Sequence, residues 1–597
     1  MPISPLSGSS DVVNSSVLVD GNKIRDTYLV SEIQVQLGVN RIPTARITLV
    51  DGDASLENFP ASESDDFTPG SEVEVRAGYQ DQQSTLYKGV IVKHGIKVRG
   101  DGSSFLVLTC MDKAAKLTIG RKNTVFLKQK DSDIISQIIG DAGLEADVAA
   151  TDEQHKEIFR YYATDWDFML SRAEANGLIV TIDAGKVAAK APDASPDPGL
   201  VVRFGDALQE VDAEIDARTQ LKKVEGNAWD LSTQKLLTGD GSAPGLGLGG
   251  NLSASDLAKV FGPDTYTLQT TAPLSDPDLK AWAGARLLKA ELARVRGSVS
   301  FAGNATPKPG GVLELAGLGA RFNGKAFISS VAHRIRPGEW VTEVGVGLSP
   351  RWFTEEHGDI AAPLASGLLP GIQGLHIGKV KKIDEDPDGH TRVQVTVPLL
   401  GADAADGVWA RLANGYATKD AGLFFMPEVD DEVLLGFLNG DPSCPVILGS
   451  LYSSDRSPPY TPDADNTYKA IVTKNKVKII VDDKKKLITL ETPGGQTVIL
   501  SDDEKSITLK DQNNNKIALS SDGILLESGK DISLKATGNI KLEASQGIDA
   551  KASTDMNLEG LNLNAKAQAS LAAKGQASAE LSASGQVTVK GAMVMIN

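Results

Sequence analysis

The chain has 597 residues, a formal net charge of −17 and a sequence pI near 5.0. An acidic surface of this kind repels a phosphate backbone, which excludes nucleic acid as a partner. Aromatics make up only 5% of the residues while glycine contributes 59, a balance that points to β-rich, repetitive architecture over part of a multidomain chain.

The segment Met1 to Val13 has neither a basic n-region nor an apolar h-region, so no secretory signal is expected and synthesis in the cytoplasm follows. No run of 18 or more apolar residues occurs, and no membrane-spanning helix is expected. Residues 1–115 read as a first strand set: Val30 to Leu37, Ala45 to Val50, the period-two run Glu72 to Ala77, Lys88 to Val98 and Phe105 to Leu108, with a turn at Arg99 to Gly102. Strands this short with turns between them predict a barrel or a sandwich.

Residues 116–199 switch period. Asp131-Ser132-Asp133 can open a helix whose apolar face is Ile134, Ile135, Ile138 and Ile139, ending near Gly143. A second helix follows Thr164, carries Trp166, Phe168, Met169, Leu170 and Ala173, and stops at Asn176-Gly177. Residues 200–350 form a second strand set around one long helix. Ser275-Asp276-Pro277-Asp278 starts that helix with a capping serine, an early proline and acids facing the positive end; Arg294, Arg296 and Gly297 are expected to close it.

Residues 351–371 read as a linker and 372–455 as a separate small barrel. Cys110 and Cys444 each lie in an apolar run and are expected to be buried free thiols. Two cysteines make neither a disulfide framework nor a zinc site.

From Lys469 the composition changes: no Phe, Trp, Tyr, His or Cys follows. Residues 456–520 read as a neck of strands, including Val477 to Val481, Leu487 to Leu490, Val498 to Leu500, Ile507 to Leu509 and Ile517 to Leu519. In residues 521–597 apolar residues recur every eight positions at Ile524, Ile532, Ile540, Ile548 and Met556. After one step of seven they continue at Leu563, Leu571, Ala579, Val587 and Met595. In many octads the second residue onward is also apolar, as in a short strand with one buried face. Strands so short and so poor in apolar bulk cannot close a core alone. Three chains winding together can, and closure removes the free edges. A coiled coil would need a period of 3.5. The octad series predicts a needle core of Ile524, Ile532, Ile540, Ile548, Met556, Leu563, Leu571, Val587 and Met595. Met593, Val594, Met595 and Ile596 form an apolar end expected to seat another protein.

Pro427 to Phe437, followed by Gly440-Asp441-Pro442 and Pro445 to Tyr452, resembles the OB-fold signature of VgrG tip proteins and phage baseplate spikes; Gly378-Lys379-Val380 and Arg392 to Val395 fit the same domain. Asp165-Trp166-Asp167-Phe168 with Arg172 to Gly177, and Gly317 to Trp340 with Phe322-Asn323-Gly324 and His333, resemble that family's hub. The resemblance implies a mainly β chain in the order barrel hub, OB-fold barrel, intertwined trimeric β-helix. It implies a structural homotrimer on the tube axis whose partners are an Hcp-like tube protein, baseplate proteins, a PAAR-type tip protein and effector cargo, with membranes met only by mechanical puncture. The asparagine-glycine hub motif and short tail are most similar to spikes of extracellular, phage-tail-like particles. Two departures are expected: only Ser453 to Asn466 separates barrel from neck, which leaves no room for a lysozyme, and the octad register still holds at Met595-Ile596-Asn597, which leaves no fused toxin.

Candidate chemistry is sparse. Gly245-Leu246-Gly247-Leu248-Gly249-Gly250 lacks the Lys-Ser/Thr of a phosphate loop and reads as a flexible surface loop. The histidines His94, His155, His333, His357, His376 and His390 show no ligand spacing, and Asp384, Glu385, Asp386 and Asp388 lack the distal acid of an EF-hand. No catalytic residue, metal or cofactor is expected. The enzymatic alternative is a glycan-binding or glycan-cleaving tailspike. It would need paired carboxylates in a groove, and the needle has acids such as Glu543, Asp549, Asp555, Glu559 and Glu580 but no aromatic sugar platform. A passive fibre adhesin would explain the repeat but not the hub and barrel motifs.

Overall fold

Alternating small and branched apolar residues build the first of two bodies, residues 1–451, in a computed structural model that describes residues 3–6, 12–80, 82–242, 245–400 and 406–596; residues 452–597 form the second body. A 13-stranded sheet dominates the first body. Every second residue of Val30–Gly38, Thr44–Val50, Glu72–Tyr79 and Ser104–Met111 turns inward, which buries Ile33, Val35, Ile47, Leu49, Val73, Val75, Leu106, Leu108 and Cys110 in one core. The two strand sets assigned to 1–115 and 200–350 share this sheet. Ser330–Ile335 in the strand Gly324–Arg336 pair antiparallel with Ile33–Gly38, and Ile335 and Trp340 complete the first core. A second core on the far strands gathers Val299, Phe301, Leu313, Leu315, Val331 and Val344. His333 is buried with its Nδ1 3.0 Å from Thr342 Oγ1, and burial pushes its pKa down to about 3, so it stands neutral. The Trp340 ring lies so close to Gly303 that a Cβ there would fall 1.9 Å from it.

Among the described residues there are five α-helices: α1 (Asp131–Asp141), α2 (Asp165–Ala175), α3 (Ala254–Phe261), α4 (Asp276–Leu292) and the single turn α5 (Phe353–Glu356). The four isoleucines of α1 pack against Trp166, Met169, Leu170 and Ala173 of α2. Thr164 Oγ1 accepts from Asp167 N at 3.0 Å to cap α2. At its other end Gly177 takes φ +68, donating to Glu174 O while Leu178 N donates to Ala173 O, the left-handed closure that glycine permits.

The polar residues of the hub motif are used inside the fold. Asp131 is buried and receives Arg172 at 2.6 and 2.7 Å, Asn176 at 2.8 Å and His155 at 3.1 Å. Burial alone would raise its carboxyl pKa; the Arg172 charge and hydrogen bonds, with Asn176 and His155, outweigh it and hold the group below its ordinary value. Glu174 pairs with Lys289 of α4 and accepts from Phe353 N at 2.6 Å, and Asp165 pairs with Arg160 and Lys122. These side chains lock α2 to its neighbours.

The capping box at Ser275 and Asp278 starts α4, with Ser275 Oγ accepting from Asp278 N at 3.2 Å. The helix stops at Leu292, earlier than Arg294 to Gly297. Arg296 and Gly297 belong to the strand Val295–Ala302, because sheet pairing with Leu208–Ile215 and Glu339–Val346 takes over the backbone there. Arg294 is instead buried and donates to Leu248 O, Gly249 O and Leu252 O at 3.1, 2.9 and 2.8 Å. The glycine-rich stretch is therefore a pinned segment rather than a flexible loop. Gly249 abuts Gly324, where a Cβ would approach its backbone to 2.7 Å, so close approach is what demands glycine.

The stretch after Ser349 is also tied down. Arg121 donates to the carbonyls of Asp359, Ile360 and Ala361, and Ile372 N donates to Gly440 O on the barrel. The barrel closes through His376–Lys382, Val393–Thr396, Val408–Leu412, Pro445–Ser450 and Glu432–Phe437 around Val380, Val393, Val395, Ala410, Val433, Leu435 and Ile447. Asp386 accepts from Arg392 and from the backbone N–H groups of His390 and Arg392, and Arg392 holds its carboxyl well below the usual carboxylate range, so the loop's acids organise the loop itself. Cys110 is buried, but Cys444 is exposed: it sits in the turn before Pro445, outside the strand whose alternation would have buried it.

In the second body, seven strands of five residues form an antiparallel meander: Tyr468–Val472, Lys478–Asp482, Leu487–Glu491, Thr497–Ser501, Ser506–Lys510, Lys516–Ser520 and Gly523–Glu527. Among the described residues 528–596 no strand is assigned.

Candidate assembly surface

From Lys478 to Glu527 each strand of the meander carries apolar residues at its second and fourth positions, and tight turns set the register. Asp511 accepts from Asn513 N and Asn515 N, both at 2.8 Å, while Asn514 takes φ +67; Gly495 turns the hairpin of Leu487–Glu491 and Thr497–Ser501 at φ +87. Directly paired residues share a face. Ile479 opposes Leu490, Val481 opposes Ile488, and Leu490 opposes Val498. Leu500 opposes Ile507, Leu509 opposes Ile517, and Leu519 opposes Ile524. One face is consequently two unbroken apolar columns across six strands. The other face carries Ile480, Thr489, Ile499, Thr508, Ala518 and Leu525 at its centre, with Leu487, Gly523 and otherwise charged and polar residues at the strand ends.

The apolar face is bare in the single chain: Leu500 and Ile507 are each 40% exposed. Its edge column continues past the sheet, since Val498, Leu509, Ile517, Leu526 and Ile532 line one open concavity. Ile524 stands in the meander's last strand, and the turn Ser521-Asp522, followed by Gly523 at φ +120, is the local signal for that extra hairpin. Ile532, Ile540, Ile548, Met556, Leu563, Leu571, Val587 and Met595 follow along a strandless path, all exposed. Met593, Val594, Met595 and Ile596 are exposed in succession, Ile596 at 92%; Asn597 lies outside the described residues. A contiguous apolar surface of this extent, ending in backbone without ladder partners, is a surface that another polypeptide must cover.

Comparison with known proteins matches three stretches of the chain. Residues 9–337 match the family described as the Alg8 N-terminal domain, just over half of the chain. Residues 376–452 match the type VI secretion system/phage-baseplate injector OB domain, and residues 487–546 the phage baseplate V C-terminal trimerisation domain. The actin cross-linking toxin VgrG1 of Vibrio cholerae is 23% identical over 61% of this chain and 34% of its own length. The type VI secretion system spike protein VgrG1b of Pseudomonas aeruginosa is 22% identical over 58% of this chain and 48% of its own length. The chain thus spans a third to a half of these relatives. Among solved structures, an E. coli component of the type VI secretion system aligns over 73% of this chain and 99% of its own, with 12% identity and a TM-score of 0.36. A 43 kDa prophage tail protein from Shewanella oneidensis aligns over 57% and 98%, with 12% identity and a TM-score of 0.43.

Proposed function

Because this chain belongs to the Alg8 N-terminal domain family and to the wider family of VgrG and phage central-spike proteins, we propose that it is the structural central spike of a contractile injection system and works as a homotrimer. The observation that carries the reading is the bare two-column face of the meander, which overlaps the trimerisation match at residues 487–546 and runs on into the octad series. Three such faces turned toward a common axis bury one another's apolar columns. The same winding lets each octad pair its free backbone with two neighbours. Unfolding one chain then requires breaking its pairings with both others, which is the stiffness a needle needs under an axial load. The small side chains of the octads keep that needle thin, and its core is Ile532 through Met595.

In this reading the hub, residues 1–350, meets an Hcp-like tube protein and baseplate proteins. The OB barrel joins hub to needle. The Met593 to Ile596 end seats a PAAR-type tip protein, and membranes are crossed by mechanical puncture. The chain itself performs no catalysis, and effector cargo travels on partners. The protein leaves its cytoplasmic site of synthesis as part of an injection particle of the extracellular, phage-tail-like kind. Electron microscopy of the purified full chain tests this: threefold class averages with a thin rod at one end support it, and single-lobed particles without a rod contradict it.

A further inference from the structure

The OB barrel breaks the rule of polar outer faces. In Glu432–Phe437 and Pro445–Ser450, Val433, Leu435 and Ile447 point into the core. Their outward neighbours Leu434, Gly436, Val446 and Leu448 are apolar as well, and Ile377, paired with Leu434, extends the patch. Leu375 and Leu448 stand on either side of Gly436, whose missing side chain leaves a shallow dip: a Cβ there would lie 3.9 and 3.5 Å from them. Leu375, Ile377 and Leu448 are all exposed. A strand that is apolar on both faces belongs where both faces are covered.

The same barrel offers something to cover it. The hairpin Ala417–Thr418 with Ala421–Gly422, closed by Leu423 N donating to Tyr416 O at 2.9 Å, leads into Leu423-Phe424-Phe425-Met426. Met426 packs against the barrel core, which leaves Phe424 and Phe425 outside; Phe424 is 78% exposed. Two consecutive exposed phenylalanines on a loop tied to the barrel through Met426 form an apolar projection.

We infer that in the trimer the Phe424-Phe425 loop of each barrel seats on the Gly436 dip between Leu375, Ile377 and Leu448 of the next copy, closing a ring of three barrels. The inference rests on the trimer reading above. Cyclic threefold symmetry requires each copy to present two different surfaces that fit one another, and this barrel carries one projection and one recess, both apolar. Only residues 451–467 separate the last barrel strand from the first meander strand. Copies joined through the meander therefore hold their barrels at an effective concentration of about millimolar, enough to fill a small patch that would stay empty between free molecules.

Paired cysteines test it in the full chain carrying Cys444→Ser, with trimer mass checked by light scattering before oxidation. Phe424→Cys combined with Leu448→Cys should move most of the protein to a covalent trimer band on non-reducing gels, either on oxidation or with a short bis-maleimide. Each single variant should stay at the mass of one chain. A trimer that neither treatment links overturns the ring while leaving the trimer standing. Dimers from Phe424→Cys alone would place the loops against one another and also overturn it. A chain that is monomeric before oxidation removes the trimer reading and the ring together.

Discussion

Leu500→Asp is the sharpest perturbation of the apolar columns. Leu500 sits mid-sheet opposite Ile507 and Ile488, shares its face with Val498, and is 40% exposed in one chain. Burying a whole leucine is worth about 1.5–3 kcal/mol, so covering this exposed fraction gives ~0.6–1.2 kcal/mol per chain and ~2–4 kcal/mol per trimer. Aspartate forfeits that and adds three carboxylates around one axis, each losing its hydration. At about 1.4 kcal/mol per tenfold, the lost burial alone weakens assembly by roughly 20- to 400-fold, and the charges add to it. Thr508→Asp introduces the same charge on the opposite face, where Thr508 pairs with Ile499 and Ala518, and should leave assembly near wild type. Sedimentation of both variants through a dilution series measures the difference. Equal effects of the two substitutions, or none from Leu500→Asp, would refute the assignment of the inner face.

Three further outcomes follow from the hub and barrel. Asp131 has a folded-state pKa below its ordinary value, so its contribution is complete above the unfolded pKa of about 4 and is lost as pH falls through the folded value. Asp131→Asn should therefore destabilise α1 and α2 at neutral pH by ~2–4 kcal/mol, less than a fully buried pair because Arg172 is partly exposed, and should flatten the acid limb; amide exchange across 131–141 against pH reads both. Arg294→Lys cannot reach three carbonyls with one ammonium, and protease cutting within 245–252 should rise at least tenfold while the rest of the chain stays intact. A maleimide should label Cys444 at once in the folded protein and Cys110 only on unfolding, since burial pushes the Cys110 thiol up to about 12; mass spectrometry of labelled peptides distinguishes them.

Much of this was legible because it is local. Period-two alternation marks Val30–Gly38 and Glu72–Tyr79, four isoleucines at helical spacing mark α1, and a capping serine with proline marks the start of α4. The repeat from Ile532 onward is visible as pure spacing. What escaped depends on partners far along the chain. Nothing near Ile33 announces that it pairs with Ile335, so the two strand sets could not be seen as one sheet. The glycine-rich stretch looked loose because its anchor, Arg294, lies more than forty residues away. Local pattern also overextended α4, since basic residues after a helix serve equally well in the next strand. The paired apolar columns of the assembly surface were readable strand by strand, while their bareness is a property only the folded chain displays.

The mass of the purified protein in solution, by light scattering with and without residues 469–597, addresses the central claim most directly. The account predicts a full chain near three times 63.0 kDa and a truncated one that weakens or dissociates. A full chain at 63.0 kDa would contradict it, and would leave the apolar columns to be covered by some other polypeptide.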